Sequence, residues 1–485
     1  MASSFPLACD LAIVGAGPAG MAAAVEAAAL GIRAILFDEN PQVGGQIYRG
    51  IAANTPQNRP FLDGDYWRGK DLLAAFLDSG ATHVPGALVW NVEPTAADEG
   101  ATLRVSVGGV SRGVHTRRVI LATGAMERPM PVRGWTLPGV MTVGAGQIAL
   151  KAAGLVPEGR IVLAGSGPLL HLWAQQVIGA GGEVAALLDT TPQTNLLGAL
   201  PFLPAFLTTA YARKGIGLIA ATRWRVAVHS GVRSLEVSRR NGICVVSFHA
   251  GRQRHVLEAD SLFLHQGIQP NNNLAAAAGC RLVWNEEQAC FRPDVSAVGA
   301  SSVPGLFIAG DGAGIVGARA AEADGRIAAL AACRDLLPEQ AAPIEHALCR
   351  AKAERSRLLR GRAFIDQFYR PAAPFRTPPD DATLVCRCEE VTAGTIRALA
   401  AQPVVGINQL KTMLRCGMGP CQGRMCMATV TELLAQAQKR RPAEIGPWRL
   451  RPPIKPVPLG EFASFPLTPA ALHAVDGDDC NLEET

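Results

Sequence analysis

Residues 10–20 read Asp-Leu-Ala-Ile-Val-Gly-Ala-Gly-Pro-Ala-Gly. The apolar run at 10–14 predicts one buried strand. Gly15, Gly17 and Gly20 follow at once, and an alanine-rich helix extends to about Leu30. A second apolar run, 33–37, ends at Asp38, with Glu39 behind it. Strand, glycine turn, helix, strand and acid in this order predict a βαβ unit that cradles a dinucleotide. Gly15 permits a tight turn, Gly17 leaves room for phosphate oxygens, and Gly20 lets the helix lie on the strand. Pro18 and Ala19 open that helix, whose free N–H groups and dipole favour a pyrophosphate. A carboxylate at Asp38 is placed to accept from a ribose hydroxyl.

The same opening returns further along. Residues 160–164 predict a strand, Gly165-Ser166-Gly167-Pro168-Leu169-Leu170 a turn, and 183–188 a strand ending at Asp189. Repetition at this spacing predicts two related domains in tandem, not a solenoid. Leu170 stands where a third glycine would be. A nucleotide fold is expected here, with occupation by NAD or another adenine nucleotide and an empty site both open.

Three further segments bear on the first site. Gly44-Gly45-Gln46 follows Asp38 closely, an apolar strand at 119–122 ends in Ala122-Thr123-Gly124, and another at 306–309 closes with Gly310-Asp311. Together they resemble two-dinucleotide-domain flavoproteins of the glutathione-reductase and thioredoxin-reductase type. The resemblance implies an α/β fold, FAD at the first site and a late Gly-Asp whose carboxylate, Asp311, binds the ribityl chain. A helix N-cap is the other reading of Asp311. The redox cysteine pair of the disulfide reductases is missing: no cysteine lies between Cys9 and Cys244, and no Cys-x-x-Cys occurs. Thiol–disulfide exchange at the flavin is therefore not expected.

Composition agrees with a multidomain α/β chain: 485 residues, 48% hydrophobic, 5% aromatic and 51 glycines. A net charge of +5 without a Lys/Arg block gives no argument for nucleic acid. Residues 1–10 lack the charged start and apolar core of a signal peptide, and no apolar run reaches the ~18 residues of a membrane span. The chain reads as cytoplasmic.

Five of the twelve cysteines fall in Cys386-Arg387-Cys388 and in Cys416-Gly417-Met418-Gly419-Pro420-Cys421-Gln422-Gly423-Arg424-Met425-Cys426. Such clustering points to a metal or cluster site, not to a disulfide framework. Thr392 predicts an N-cap for a helix through Ile396 to Leu399; further helices are expected at 407–414 and through Leu434. The glycines let backbone N–H groups approach sulfur, and Arg387, Arg415 and Arg424 offset negative charge, as an iron–sulfur cluster requires. Zinc is the alternative, but an adjacent Cys-x-Cys is unusual for it. The unit resembles the bacterioferritin-associated-ferredoxin type of [2Fe-2S] domain. By that resemblance Cys386, Cys388, Cys421 and Cys426 are the ligands, with Cys416 a substitute for one of them.

The order of flavoprotein, proline segment (Pro371, Pro374, Pro378, Pro379), Val385-Cys-Arg-Cys-Glu-Glu-Val391 and the later glycine–cysteine run resembles one family. It is the α (A) subunit of heteromeric amine and imino-acid dehydrogenases, which includes opine oxidases, D-hydroxyproline and proline dehydrogenases, hydrogen cyanide synthase and the longer sarcosine oxidase α. Gly134-Trp-Thr-Leu-Pro-Gly-Val140 and His265-Gln-Gly-Ile-Gln-Pro270 match it too.

The resemblance implies substrate oxidation at a flavin in a D-amino-acid-oxidase-like β subunit, with an interface FMN and a further small subunit left open. This chain would accept electrons and pass them to an acceptor. It implies no catalytic acid or base here; His171 and His265 read as core or interface histidines. A self-contained NAD(P)H-dependent FAD/[2Fe-2S] reductase is the rival reading.

The expected domains are 1–150 with 286–335 (FAD), 151–285 (second dinucleotide fold), 336–380 (helix and proline linker), 381–440 ([2Fe-2S]) and 441–485, a proline-rich tail wrapping a domain or a partner.

Overall fold

The computed structural model describes residues 6–95, 100–402 and 406–465. Residues 1–5, Cys480 and the tail beyond Phe465 lie outside the described residues. The first glycine unit builds a seven-stranded sheet. Thr82–Pro85, Ala34–Asp38, Ala8–Val14 and Val110–Leu121 run side by side in parallel. The other edge of Val110–Leu121 serves two partners. Its first part pairs antiparallel with Ala101–Val107, and its last three residues pair parallel with Leu306–Ile308. Sequence periodicity found only the final, wholly apolar part of this strand, because its first part alternates buried and solvent-facing residues such as Arg112 and Arg117.

The helices Pro18–Ala29 and Ala318–Leu336 stack on this sheet. Their approach is backbone to backbone. A Cβ at Gly20 would lie 1.8 Å from the Gly15 carbonyl oxygen, and one at Gly325 would lie 2.0 Å from the Ala19 oxygen. The chain thus returns after 300 residues to pack a second helix over the first glycine turn.

The second glycine unit builds five parallel strands in the order Ala227–Ser230, Glu183–Asp189, Arg160–Ser166, Ser261–Gln266, Val140–Thr142. A three-stranded antiparallel sheet, Val232–Arg240, Ile243–Ala250 and Gln253–Ala259, covers it. Two short crossing strands, Ala125–Glu127 and Ile268–Pro270, pair antiparallel with each other where the chain passes between the two units.

In the cysteine unit, the hydroxyl of Thr392 accepts from the Thr395 N–H (3.3 Å) and caps the helix Ala393–Ala400; Ile407–Leu414 and Met427–Ala437 follow. The proline segment before it is not the free, stiff linker its composition suggests. Phe375, 2% exposed, is buried in the core of the second sheet with Trp135 and Phe248. Arg376 pairs with Glu432 of the last helix. Prolines lower the cost of ordering the segment, and one buried aromatic ring anchors it. Among the described residues no single helix is long and apolar enough to cross a membrane.

Glu432 is almost wholly buried, and burial pushes its carboxyl pKa up against the lowering pull of Arg376 and Arg128. Arg376→Ala would remove its hydrogen-bonded partner and leave it only the charges of Arg128 and Arg370. The expected cost is about 3–5 kcal/mol of unfolding free energy, read by urea denaturation. A loss within error would show that the pair does not pin the cysteine unit to the rest of the chain.

Candidate functional site

A cavity of about 610 Å³ opens over the first glycine turn. Gly15, Gly17, Pro18, Ala19, Asp38, Glu39, Gly45, Gln46, Ala122, Thr123, Gly124 and Asp311 all line it. Gly20 and Gly310 lie behind that wall. Gly20 seats the helix, and a Cβ at Gly310 would come within 2.9 Å of the Ala19 Cβ. The two glycine segments also press together, since a Cβ at Gly45 would lie 2.8 Å from the Gly17 Cα. A helix N-terminus facing a cavity free of side chains suits a pyrophosphate.

The two acids divide their work differently from the expectation. Asp38 Oδ2 accepts from the Ala16 N–H (2.6 Å), and Oδ1 accepts from the Asn40 N–H and Nδ2 (2.7 and 2.8 Å). Buried against the turn, Asp38 holds the glycine loop. Glu39 also lines the cavity, at its rim, and pairs with Lys455 of the tail. Asp311 is not the N-cap of the helix that follows, which begins after Gly317, but it braces the approach to that helix. Oδ1 accepts from the N–H groups of Val316 and Gly317 (2.7 and 2.9 Å), just ahead of the helix at 318, while the side chain borders the cavity. Among the described residues, no cysteine lines this cavity.

The second glycine turn is built for packing. Leu170 fills the core against the neighbouring apolar side chains. Ser166 and Thr191 hydroxyls meet at 2.8 Å, and Asp189 Oδ1 accepts from the Thr191 N–H (2.9 Å). Asn195 Nδ2 donates to the carbonyls of Phe368 and Arg370 (3.0 and 2.9 Å), which stretches residues 368–370 across this end of the sheet. Burial, and then the Asp189 charge, push the Tyr369 phenol up to about 12. His171 and His265 are both buried, and burial lowers the His171 pKa. His265 Nδ1 lies 2.5 Å from Glu127 Oε1, and Glu127 Oε2 accepts from the Gly144 N–H (2.6 Å). Glu127 also borders the cavity; its isolated position in the sequence gave no signal.

All five clustered cysteines converge. The sulfurs of Cys386, Cys416 and Cys426 lie within 4.8 Å of one another, and all three are buried. Cys421 contacts Cys426 and Cys388. The neighbouring Cys416 and Cys426 thiols, and then the N–H groups of Gly417 and Glu389, pull the Cys386 thiol far below its ordinary range. The Cys426 thiol and the N–H groups of Met425 and Gly423 pull Cys421 down to about 5. Thiolate donors surrounded by backbone N–H groups are the donor set an iron–sulfur cluster needs.

Of the three arginines expected to offset charge, Arg415 bonds Glu389 (3.2 Å), Arg387 lies over the Trp135 ring (5.5 Å), and Arg424 lines the large cavity with Met425. Gln269 Nε2 donates to the Arg424 carbonyl (3.0 Å) and Asn273 Nδ2 to the Gln422 carbonyl (2.9 Å), so the crossing strand and the start of the helix Asn273–Ala277 after it hold the cysteine loop. The same segment meets the cavity wall, because Thr123 Oγ1 donates to the Asn271 carbonyl (2.7 Å).

Residues 9–331 match the pyridine nucleotide-disulphide oxidoreductase family, and residues 384–436 the BFD-like [2Fe-2S] binding domain. These imply FAD and a [2Fe-2S] cluster, and the cavity and the cysteine donor set suit both. The chain is 49% identical to the opine oxidase A subunit of Rhizobium meliloti, over 97% of this chain and 90% of that one. It is 32% identical to hydrogen cyanide synthase subunit HcnB of Pseudomonas aeruginosa, over 93% and 98%. The structure of L-proline dehydrogenase from P. horikoshii shares the fold, at a TM-score of 0.65 and 19% identity over 94% of this chain and 79% of that one. The chain therefore belongs to the pyridine nucleotide-disulphide oxidoreductase family, with a BFD-like [2Fe-2S] domain at its far end, and its relatives mark it as a subunit of a heteromeric flavin/iron–sulfur oxidoreductase.

Proposed function

We propose that this chain is the electron-handling subunit of a cytoplasmic dehydrogenase that oxidises the C–N bond of a secondary amine, opine or imino acid. One observation carries the reading. Arg424 and Met425 of the cysteine loop line the cavity opened by the first glycine turn, so the two cofactor sites share a wall. FAD would lie along Gly15, Gly17, Pro18, Ala19, Glu39, Gly45, Gln46, Ala122, Thr123, Gly124 and Asp311, supported by Gly20, Asp38 and Gly310. Cys386, Cys388, Cys421 and Cys426 would hold the cluster. When bound, FAD supplies a two-electron centre and the cluster a one-electron one, so electrons that arrive in pairs can leave singly.

The chain's residues bind, orient and shield. Asp38 keeps the glycine turn in shape, Glu39 meets the ribose, and Gln269 and Asn273 fix the cysteine loop against the flavin wall. Substrate oxidation falls to a D-amino-acid-oxidase-like β subunit. An interface FMN and a further small subunit belong to the same reading. Leu170 in the third glycine position, and residues 368–370 across the second fold, argue against NAD(P)H as the electron source.

Gly17→Val is expected to leave a folded chain, since a Cβ there has no contact nearer than 3.9 Å. It should fill the phosphate cradle and abolish flavin retention. A normal flavin spectrum in that variant would remove FAD from this site. Serine at any one of Cys386, Cys388, Cys421 or Cys426 should eliminate the paramagnetic signal of the reduced cluster, whereas Cys416→Ser should keep it. The opposite result at Cys416 and Cys426 would exchange those two ligands. Expressed without its partner gene, the chain should reduce no dye with opines or imino acids, and NADH should not bleach its flavin. Turnover by the isolated chain would place the substrate site here and sink the subunit reading.

A further inference from the structure

The large cavity is closed on one side by residues that neither glycine turn supplies. Ile454 and Lys455, from the tail, line it beside Glu39, Ala87 and Val89. Ile454 is buried in the same apolar cluster as Ala87, Val89 and Leu274, and its N–H donates to the Trp90 carbonyl (3.2 Å). Lys455 pairs with Glu39. Six residues upstream, Trp448 is 2% exposed and occupies the space above the cysteine loop. A Cβ at Gly417 or Gly423 would lie 2.4 or 2.6 Å from its ring. Its Nε1 donates to the Ile407 carbonyl (3.2 Å). Downstream, the Phe462 ring lies 5.1 Å from that of Trp90, and the Ser464 hydroxyl accepts from the Ser111 N–H (2.9 Å). The tail is therefore fastened at both ends, to the cysteine unit and to the first sheet.

We propose that residues 448–455 form a strap that completes the nucleotide site at its adenosine end and is anchored on the cysteine loop. The proposal rests on the FAD reading above. Ile454 offers a purine an apolar face together with Ala87 and Val89. Lys455 is a positioning residue: it holds the Glu39 carboxylate at the rim, where it accepts from the ribose hydroxyls. Asp38 also lines the cavity, but it is buried and already accepts three hydrogen bonds from Ala16 and Asn40, whereas Glu39 stands more exposed at the rim beside Lys455.

The anchor makes the two cofactor sites interdependent. Gly417 and Gly423 both adopt positive φ (+87° and +80°), and Trp448 seats only on a loop turned in that way. A loop that has lost its cluster loses that shape, the strap lifts, and the nucleotide leaves faster. By linkage, a bound nucleotide favours cluster retention by the same factor.

The test uses the full chain expressed with its partner gene. Flavin release is followed by fluorescence after dilution, and cluster content by the paramagnetic signal. Lys455→Met and Ile454→Ala should each speed release about tenfold, the equivalent of one modest contact, with an unchanged cluster signal. Trp448→Ala and the cluster-free Cys386→Ser should speed it similarly, although neither residue touches the cavity. Should Trp448→Ala fail to fold, the Lys455 and Ile454 variants decide the strap, and Cys386→Ser decides the anchor. Unchanged release in a folded Ile454→Ala/Lys455→Met double variant would overturn the strap. Unchanged release in flavin-loaded Cys386→Ser would overturn the coupling. Wild-type protein free of flavin would instead overturn the FAD reading itself.

Discussion

The carbonyl oxygen of Gly15 occupies the place where a side chain at position 20 would begin, 1.8 Å from an ideal Cβ, and the Ala19 oxygen does the same to position 325. These two backbone approaches draw the helices Pro18–Ala29 and Ala318–Leu336 onto the first sheet. They also explain why the chain must come back. The second helix closes the core around the glycine turn, and it can follow Gly310-Asp311 only if the segment from residue 306 rejoins the sheet beside Val119–Leu121. The second fold is thus an insertion, entered and left through the paired strands Ala125–Glu127 and Ile268–Pro270. That pairing is what later carries the cysteine loop.

The sequence was informative wherever backbone geometry dictated residue type. Glycine was required by a turn at Gly15 and by contact at Gly20 and Gly45, and each of these positions was readable because no other residue serves there. Contacts between distant segments were not readable. Asp38 was legible as a carboxylate at a strand end facing the glycine turn, but its bond to the Ala16 N–H was not, nor was the pairing of Glu39 with Lys455. Trp448 and Lys455 sit in a tail whose composition suggested a wrapping segment but not which residues would anchor it. Their partners, Gly417, Gly423 and Glu39, are far away in the sequence, so no local pattern marks them. Phe375 was hidden in the same way inside a segment that reads as linker.

Charge is handled sparingly around the two sites. Among the described residues of the cysteine loop, Arg424 is the cation that lines the shared cavity, and neutral amides hold the backbone around it. Beyond the Arg415–Glu389 pair already beside the cysteines, a further full charge here would lie close to a centre that itself changes charge on each electron transfer, and would bias it in a medium of low dielectric. Gln269 and Asn273 supply direction without that bias.

The direction matters because a trans peptide points its C=O and its N–H to opposite sides. Asn273 and Gln269 take the carbonyls of Gln422 and Arg424. The N–H groups of the same two peptide planes belong to Gly423 and Met425, and both are directed at the Cys421 sulfur. Anchoring two carbonyls on the crossing strand and the helix that follows it therefore aims two donors at a thiolate. The crossing strand is itself fixed to the flavin wall through Thr123 and Asn271, so a displacement at the cavity would be felt as a rotation of these peptides. Rigid coupling of this kind keeps two redox centres at a constant separation, and it follows from placing one amide on the crossing strand Ile268–Pro270 and another at the start of the helix Asn273–Ala277 that follows it.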